Sequence, residues 1–266
     1  MKRKLLVTGL KLISLLAVIA LLGFVNNKRL STRCSTVDVI ISGDTSVQFV
    51  QSEDLLQLLS DKGFHFKDIP ESEINLMKVE EIIKQHPALE SANVYSQADG
   101  KIILDVVQRT PILRIIDALG DSYYIDQLGC FMPLIATHAA RVPVATGTIF
   151  DSNHLLNTTL PALIANDSAA AASVIDDLYL IINEIRKDTF LLAQTEQLFV
   201  RPDREIELIP RIGPQTILIG DASQLEDKLS RLRLFYKKGL PLVGWNAYST
   251  VNLKFRNQLI CTKNIQ

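Results

Sequence analysis

The sequence predicts an α+β protein: a single N-terminal transmembrane helix, a β-α-α-β-β domain over residues 37–110, and a mixed β-rich domain with flanking helices over residues 111–262. Three observations predict it. Residues 5–25 form one long apolar run. Two short helical stripes then lie between β-branched runs, and a hairpin signal at Asp99-Gly100 follows the second. Beyond Pro111 the chain becomes a succession of short strands with only two well-formed helical stripes among them.

In the run at residues 5–25 only Lys11 and Ser14 are plainly polar, with Thr8 a mild third. As a helix it would be about 31 Å long, close to the ~30 Å hydrocarbon core of a bilayer. A cleaved signal peptide needs a shorter apolar stretch and a small-residue cleavage site. Lys2, Arg3 and Lys4 supply the basic start, but no A-x-A-like site follows the run, and Cys34 follows Ser-Thr-Arg rather than a lipobox. An uncleaved anchor is therefore expected. Basic residues flank both ends, with Lys28, Arg29 and Arg33 on the far side; the α-amino group and Lys11 tip the balance toward a cytoplasmic N-terminus. That assigns residues 1–4 to a cytoplasmic tail, residues 26–36 to a polar stalk and the bulk of the chain to the other side. Lys11 could snorkel to the cytoplasmic face or sit against a partner helix.

A formal net charge of −1 gives no electrostatic reason to expect nucleic acid. Three widely spaced cysteines, Cys34, Cys130 and Cys261, form no C-x-x-C, so no zinc signature exists; unpaired thiols are a plainer reading than one disulfide. Four histidines (His65, His86, His138, His154) are scattered without metal-ligand spacing.

Residues 37–41 read as a strand, β-branched and stopped by Ser42-Gly43-Asp44. A helix follows at residues 52–59, with Ser52 as N-cap, an apolar face of Leu55, Leu58 and Leu59, and Gly63 as its end. A second helix spans residues 73–85, with Leu76, Val79, Ile82 and Ile83 as its stripe, and His86-Pro87 stops it. Strands at residues 89–95 and 101–107 flank Asp99-Gly100, the strongest hairpin signal in the chain.

Past Arg109-Thr110-Pro111, strands are expected at residues 112–116, 122–126, 130–132 and 142–147. Residues 151–172 are hard to read beyond a short helix. A helix at residues 173–187 buries Val174, Leu178, Ile181 and Ile185. Strands follow at 196–200, 205–209 and 216–219. Ser223-Gln-Leu-Glu226 reads as a capping box opening a helix to residue 238, with Gly239 as its cap. Residues 250–255 and 258–262 close the chain as a hairpin turning tightly at Arg256-Asn257.

Catalytic signals are weak. Gly220-Asp221-Ala222-Ser223 precedes a helix and could greet a phosphate, but it lacks P-loop spacing. Asp117, Asp121 and Asp126 cluster in hairpin turns, where Asp is a common turn residue. His138, Asp151 and nearby serines lack a G-x-S-x-G context. His86 reads as a helix C-terminal residue, favoured there by the dipole when protonated.

The order of elements, with Arg109-Thr-Pro111, Tyr123-Tyr-Ile-Asp126-Gln-Leu-Gly129-Cys-Phe131, Pro143-Val-Ala-Thr-Gly147, Arg211-Ile-Gly213 to Leu234, and Val251-Asn-Leu-Lys-Phe255, resembles the bacterial division family FtsQ/DivIB. The first unit looks like a POTRA domain. The form without a long cytoplasmic tail, ending soon after the last strand, is similar to that of the Bacteroidetes. The resemblance spans residues 1–262; residues 151–172 match it poorly, and residues 263–266 form a short tail.

The resemblance implies a non-enzymatic, single-span scaffold of the inner membrane, with its bulk in the periplasm at the division septum. It implies partners of the FtsB and FtsL type and a role in septal peptidoglycan synthesis. It implies no cofactor and no metal. In the family a partner strand adds to the edge formed by the last strands, which is β-augmentation. The matching residues here are Lys254, Phe255 and Arg256, with Leu259, Ile260 and Cys261 on the return strand, and Tyr248 with Trp245 as aromatic candidates upstream. The plainer reading of Leu253 and Phe255 is a closing hairpin packed inward, with Lys254 and Arg256 guarding its edge against aggregation; Trp245 could equally plug the core. Other division proteins could bind the POTRA unit. Two alternatives remain: a POTRA-containing secretion or outer-membrane assembly component, and an anchored cell-wall enzyme.

Overall fold

A computed structural model describes residues 11, 14–18, 33–43, 48–134, 139–150, 160 and 174–264. The expected anchor lies outside the described residues except for Lys11 and residues 14–18, which are helical. Among the described residues no helix is long and apolar enough to cross a membrane. Most of the expected stalk, His138, His154, Asp151 and all of residues 151–172 except Leu160 also lie outside the described residues.

The chain divides into two compact units after Gln108. The first contains β1 (Val37–Ser42), α1 (Ser52–Asp61), a 3-10 turn (Glu71–Glu73), α2 (Leu76–Lys84), β2 (Leu89–Ser96) and β3 (Ile102–Gln108). Its sheet runs β1-β3-β2, with β3 parallel to β1 and antiparallel to β2. The central strand is buried through Ile102, Leu104 and Val106. Helix α1 buries Leu55 and Leu59, and α2 buries Val79 and Ile83; each pair is four residues apart on one helical face.

The Gln108 side chain ends β3 by accepting the N–H groups of Phe49 (2.7 Å) and Val50 (3.2 Å), which fixes the approach to α1. Gly43 leaves β1 at φ +120°, and a Cβ there would lie 2.8 Å from the Gln108 carbonyl oxygen. Only glycine fits that approach.

Three local expectations in this unit are corrected. Ser52 is the first helical residue rather than the N-cap; Gln51 holds that place, and its N–H donates to the Asp54 carboxylate at 3.1 Å. The second helix starts at Leu76, because Asn75 caps it by accepting from the Lys78 N–H at 3.0 Å; Glu71–Glu73 winds separately. His86 is held by a neutral contact: its Nδ1 accepts the Ala88 N–H at 3.3 Å, and burial pushes its pKa below the usual 6.5. Desolvation there outweighs the opposing pull of the Asp54 carboxylate.

The second unit contains β4 (Pro111–Ile116), β5 (Ser122–Asp126), β6 (Phe131–Pro133), β7 (Val144–Gly147), α3 (Ile175–Arg186), α4 (Thr189–Gln194), β8 (Thr195–Val200), β9 (Ile206–Pro210), β10 (Thr216–Gly220) and α5 (Leu225–Leu234). A π-helical turn (Phe235–Gly239), α6 (Leu240–Val243), β11 (Tyr248–Asn252) and β12 (Ile260–Lys263) complete it. One nine-stranded sheet runs β12-β11-β10-β9-β8-β7-β4-β5-β6. Its parallel pairs are β4/β7, β7/β8 and β10/β11; the other five are antiparallel. Helix α3 packs its buried stripe of Ile175, Leu178, Ile181, Ile182 and Ile185 into this core.

The chain enters this unit through a tied junction. Arg109 Nη1 meets the Asp126 carboxylate at 2.7 Å, and that carboxylate is fully buried. The other Asp126 oxygen accepts the N–H groups of Leu128 (2.9 Å) and Cys130 (2.7 Å), while the Gln127 N–H reaches the Thr110 carbonyl at 3.0 Å. The Arg-x-Pro segment and the Asp-x-x-Gly turn are thus two halves of one hydrogen-bonded feature. Asp117 likewise folds its own turn, accepting from Leu119 (2.9 Å) and Asp121 (2.8 Å). The aspartates of this segment that looked like metal candidates are turn-formers.

The late helix also differs from expectation. No capping box forms at Ser223-Gln-Leu-Glu226: Gln224 takes the N-cap place at φ +52°, and the Ser223 hydroxyl donates to Asp221 instead. The helix passes through Gly239 as a π turn and continues to Val243; Gly244, at φ +94°, ends it.

Candidate protein-interaction edge

An open sheet has two edges, and here they differ. At one end β6 is three residues long, ends in Pro133, and buries Phe131 and Met132. A proline and a short span leave little backbone to offer a partner. At the other end lies β12, paired among the described residues on one side only, with β11. Its register sets Val251 opposite Cys261 and Asn252 opposite Ile260. Along β12, Ile260, Thr262 and Lys263 are exposed and Cys261 is half-buried.

The expected strands were longer than those observed. The strand expected over residues 250–255 stops at Asn252, and its partner starts at Ile260, so residues 253–259 form the connection. Lys254, Phe255, Arg256 and Leu259 therefore belong to a loop rather than to a ladder. The tight turn expected at Arg256-Asn257 is replaced by this wider loop, with Asn257 at φ +57°. The physical reason lies in the residues just past Asn252. Leu253 is fully buried and its N–H continues the β10/β11 ladder to the Leu218 carbonyl at 2.9 Å, while the Lys254 N–H donates to the Asn252 side chain at 2.9 Å instead of to β12.

Within this region each candidate has a distinct environment. Phe255 and Ile260 stand out as large apolar side chains 44% and 43% exposed. Leu259 and Cys261 are only partly buried but pack against the core, and burial raises the Cys261 thiol above its ordinary pKa. Tyr248 opens β11 and packs against Phe235 with ring centroids 5.9 Å apart. Trp245 stacks on buried Tyr236 at the same separation while staying partly exposed. Lys254 is not a free gatekeeper, since its ammonium pairs with Glu205. Arg256 is exposed beside Asn257, in a shallow depression also lined by Gln224, Glu226 and Asp227.

Sequence reasoning missed the residue that holds this loop. Arg231, on α5, reaches the Phe255 carbonyl (2.9 Å), the Gln258 carbonyl and the Leu253 carbonyl (3.2 Å), and pairs with Asp227 at 2.9 Å. The Asp227/Arg231 spacing was visible as an i,i+4 pair, but nothing in the sequence tied it to residues 24 positions away. The short helix α4 was missed too, although Asp188 signals it by accepting the N–H groups of Phe190 and Leu191.

The remaining candidate, the stretch before α5, offers a carboxylate rather than an anion cradle. Asp221 accepts from the Ser223 hydroxyl (2.5 Å) and from Lys228 Nζ (3.0 Å), and these contacts hold its pKa at about 2. A permanent negative charge at that helix start disfavours phosphate. None of the three cysteines forms a disulfide among the described residues. Among the described residues no group of three or more His, Cys, Asp or Glu side chains is placed to hold a metal ion.

A β-α-α-β-β unit followed by a unit built on a nine-stranded mixed sheet defines the architecture of the described residues. Comparison with known families makes this specific. A model of POTRA-like domains matches residues 32–107, and the model described as FtsQ/DivIB, C-terminal related, matches residues 110–262. The chain belongs to the FtsQ/DivIB family, whose domains mark a division-related scaffold. No curated protein matches the chain closely.

Proposed function

We propose that this protein is a non-enzymatic scaffold of the bacterial divisome that captures an FtsB-type partner by β-strand addition at β12. Residues 5–25 anchor it in the inner membrane with the N-terminus in the cytoplasm and both units in the periplasm. Through FtsB- and FtsL-type proteins it helps control septal peptidoglycan synthesis. The observation that carries this reading is the open β12 edge with Phe255 and Ile260 exposed beside it. An added strand gains affinity from main-chain hydrogen bonds, and apolar side chains near the edge select the partner. Shared confinement to one membrane raises effective concentration, so a four-residue strand suffices.

The test uses the full chain co-produced with an FtsB-type protein. Phe255→Lys and Ile260→Lys each alter an exposed side chain and should leave folding intact. Each should lower co-purification by about tenfold or more, the effect of losing a central apolar contact of about 1.4 kcal/mol. Leu259 is a poorer choice, because it packs against the core. Undiminished binding by both folded variants would sink the edge as the site. Depletion from cells should give filaments without septa.

A further inference from the structure

The loop over residues 253–259 is long for a hairpin connection, where two to five residues are usual. Such a loop needs an organiser, and one guanidinium supplies it. Arg231 directs Nη1 to the carbonyls of Phe255 and Gln258 and Nη2 to that of Leu253. Nε and Nη2 also meet the Asp227 carboxylate, at 3.0 and 2.9 Å. A guanidinium presents its N–H donors in a fixed plane, and these contacts engage all three of its nitrogens. The Arg231 side chain is only 16% exposed. Arg231 is thus turned inward onto the loop, and its influence on a partner passes through that loop.

We propose that Arg231 is the positioning residue of the interaction edge. Resting on the function proposed above, the inference is that Arg231, braced by Asp227, fixes residues 253–259. Phe255 is thereby held outward and β12 is ordered before a partner strand arrives. A loop already ordered costs less conformational entropy on binding. Because the carbonyls of Leu253, Phe255 and Gln258 are satisfied from inside, the added strand pairs with residues 260–263 and stops there. The partner segment is thus short and extended, with an apolar side chain that reaches Phe255 or Ile260 at its end.

Lysine keeps the charge but cannot make a planar fork, so Arg231→Lys isolates the geometry. Amide hydrogen exchange on the full chain is read first. Arg231→Lys should speed exchange at Leu253 and residues 260–263 by about tenfold or more, and leave β8, β9 and β10 protected. Asp227→Asn, which loosens the brace without touching the loop, should give a smaller rise at the same amides. Co-purification with the FtsB-type protein is read second and should fall in the same order. Unchanged exchange in Arg231→Lys overturns the clamp. Faster exchange with full binding overturns the positioning role. If wild-type protein and Phe255→Lys alike fail to bind, the functional reading fails instead, and the exchange data still decide the clamp.

Discussion

Gly147 shows how one residue can be required by a close approach. It sits at the end of β7 with φ +107°, and a Cβ there would fall 2.1 Å from the Val200 carbonyl oxygen. The next N–H, that of Thr148, donates to that same oxygen at 2.8 Å. Gly147→Ala must therefore move backbone on two neighbouring strands. We expect it to lower unfolding free energy by at least about 2 kcal/mol, measured by urea denaturation; a loss under half that would show that β7 can shift. The sequence marks Gly147 as the end of a strand and of a family-like block, but not its close approach, because a carbonyl 53 positions away leaves no local signal. Asp126 is the opposite case. As a turn aspartate it was legible from its spacing to Gly129, and its carboxylate does accept the turn's amides. The partner on its other oxygen, Arg109, lies in a separate motif 17 positions away, which no local pattern links to it.

Among the elements, the amphipathic helices were the most legible. Helices α1, α2 and α3 bury residues that their stripes named, since a 3.6-residue period is written locally. Helix ends were less legible, because a cap is a competition between neighbouring side chains; Gln51 displaced Ser52, and Gln224 displaced Ser223. The end of α2 carries a pH prediction. Burial lowers the folded pKa of His86 below 6.5, so protonation favours the unfolded chain. The contribution of this group is complete above about pH 6.5 and is lost as pH falls through the window beneath it. His86→Gln removes the titration. Its denaturation midpoint should change less between about pH 7.5 and 5.5 than that of the wild type, and equal slopes would exclude His86 as the source. The closing hairpin was the least legible element. Its apolar alternation runs through residues 250–255, yet the ladder ends at Asn252, whose own side chain accepts the Lys254 N–H.

For the whole molecule, the division after Gln108 places Arg109 with the second unit, which holds its own core. A fragment of residues 109–266 keeps the Arg109–Asp126 pair and the Thr110 carbonyl; one of residues 111–266 loses both. Removing one partner of a buried pair strands the other, at a cost of about 3 kcal/mol or more. The longer fragment should melt cooperatively and the shorter at a clearly lower temperature by circular dichroism; equal melting would mean that water replaces Arg109. The sequence by itself determined the class of the chain: two units of α+β structure, their order, their helical faces and the family they resemble. Periodicity and turn chemistry are local, and local signals survive in one dimension. Only the tertiary structure decided which strand lies at the open edge, where its ladder stops, and which side chains stay outside. Strand order, the reach of Arg231 to carbonyls more than twenty residues away, and the burial of Leu253 beside exposed Phe255 are long-range facts, set by how the sheet packs rather than by what is adjacent along the chain.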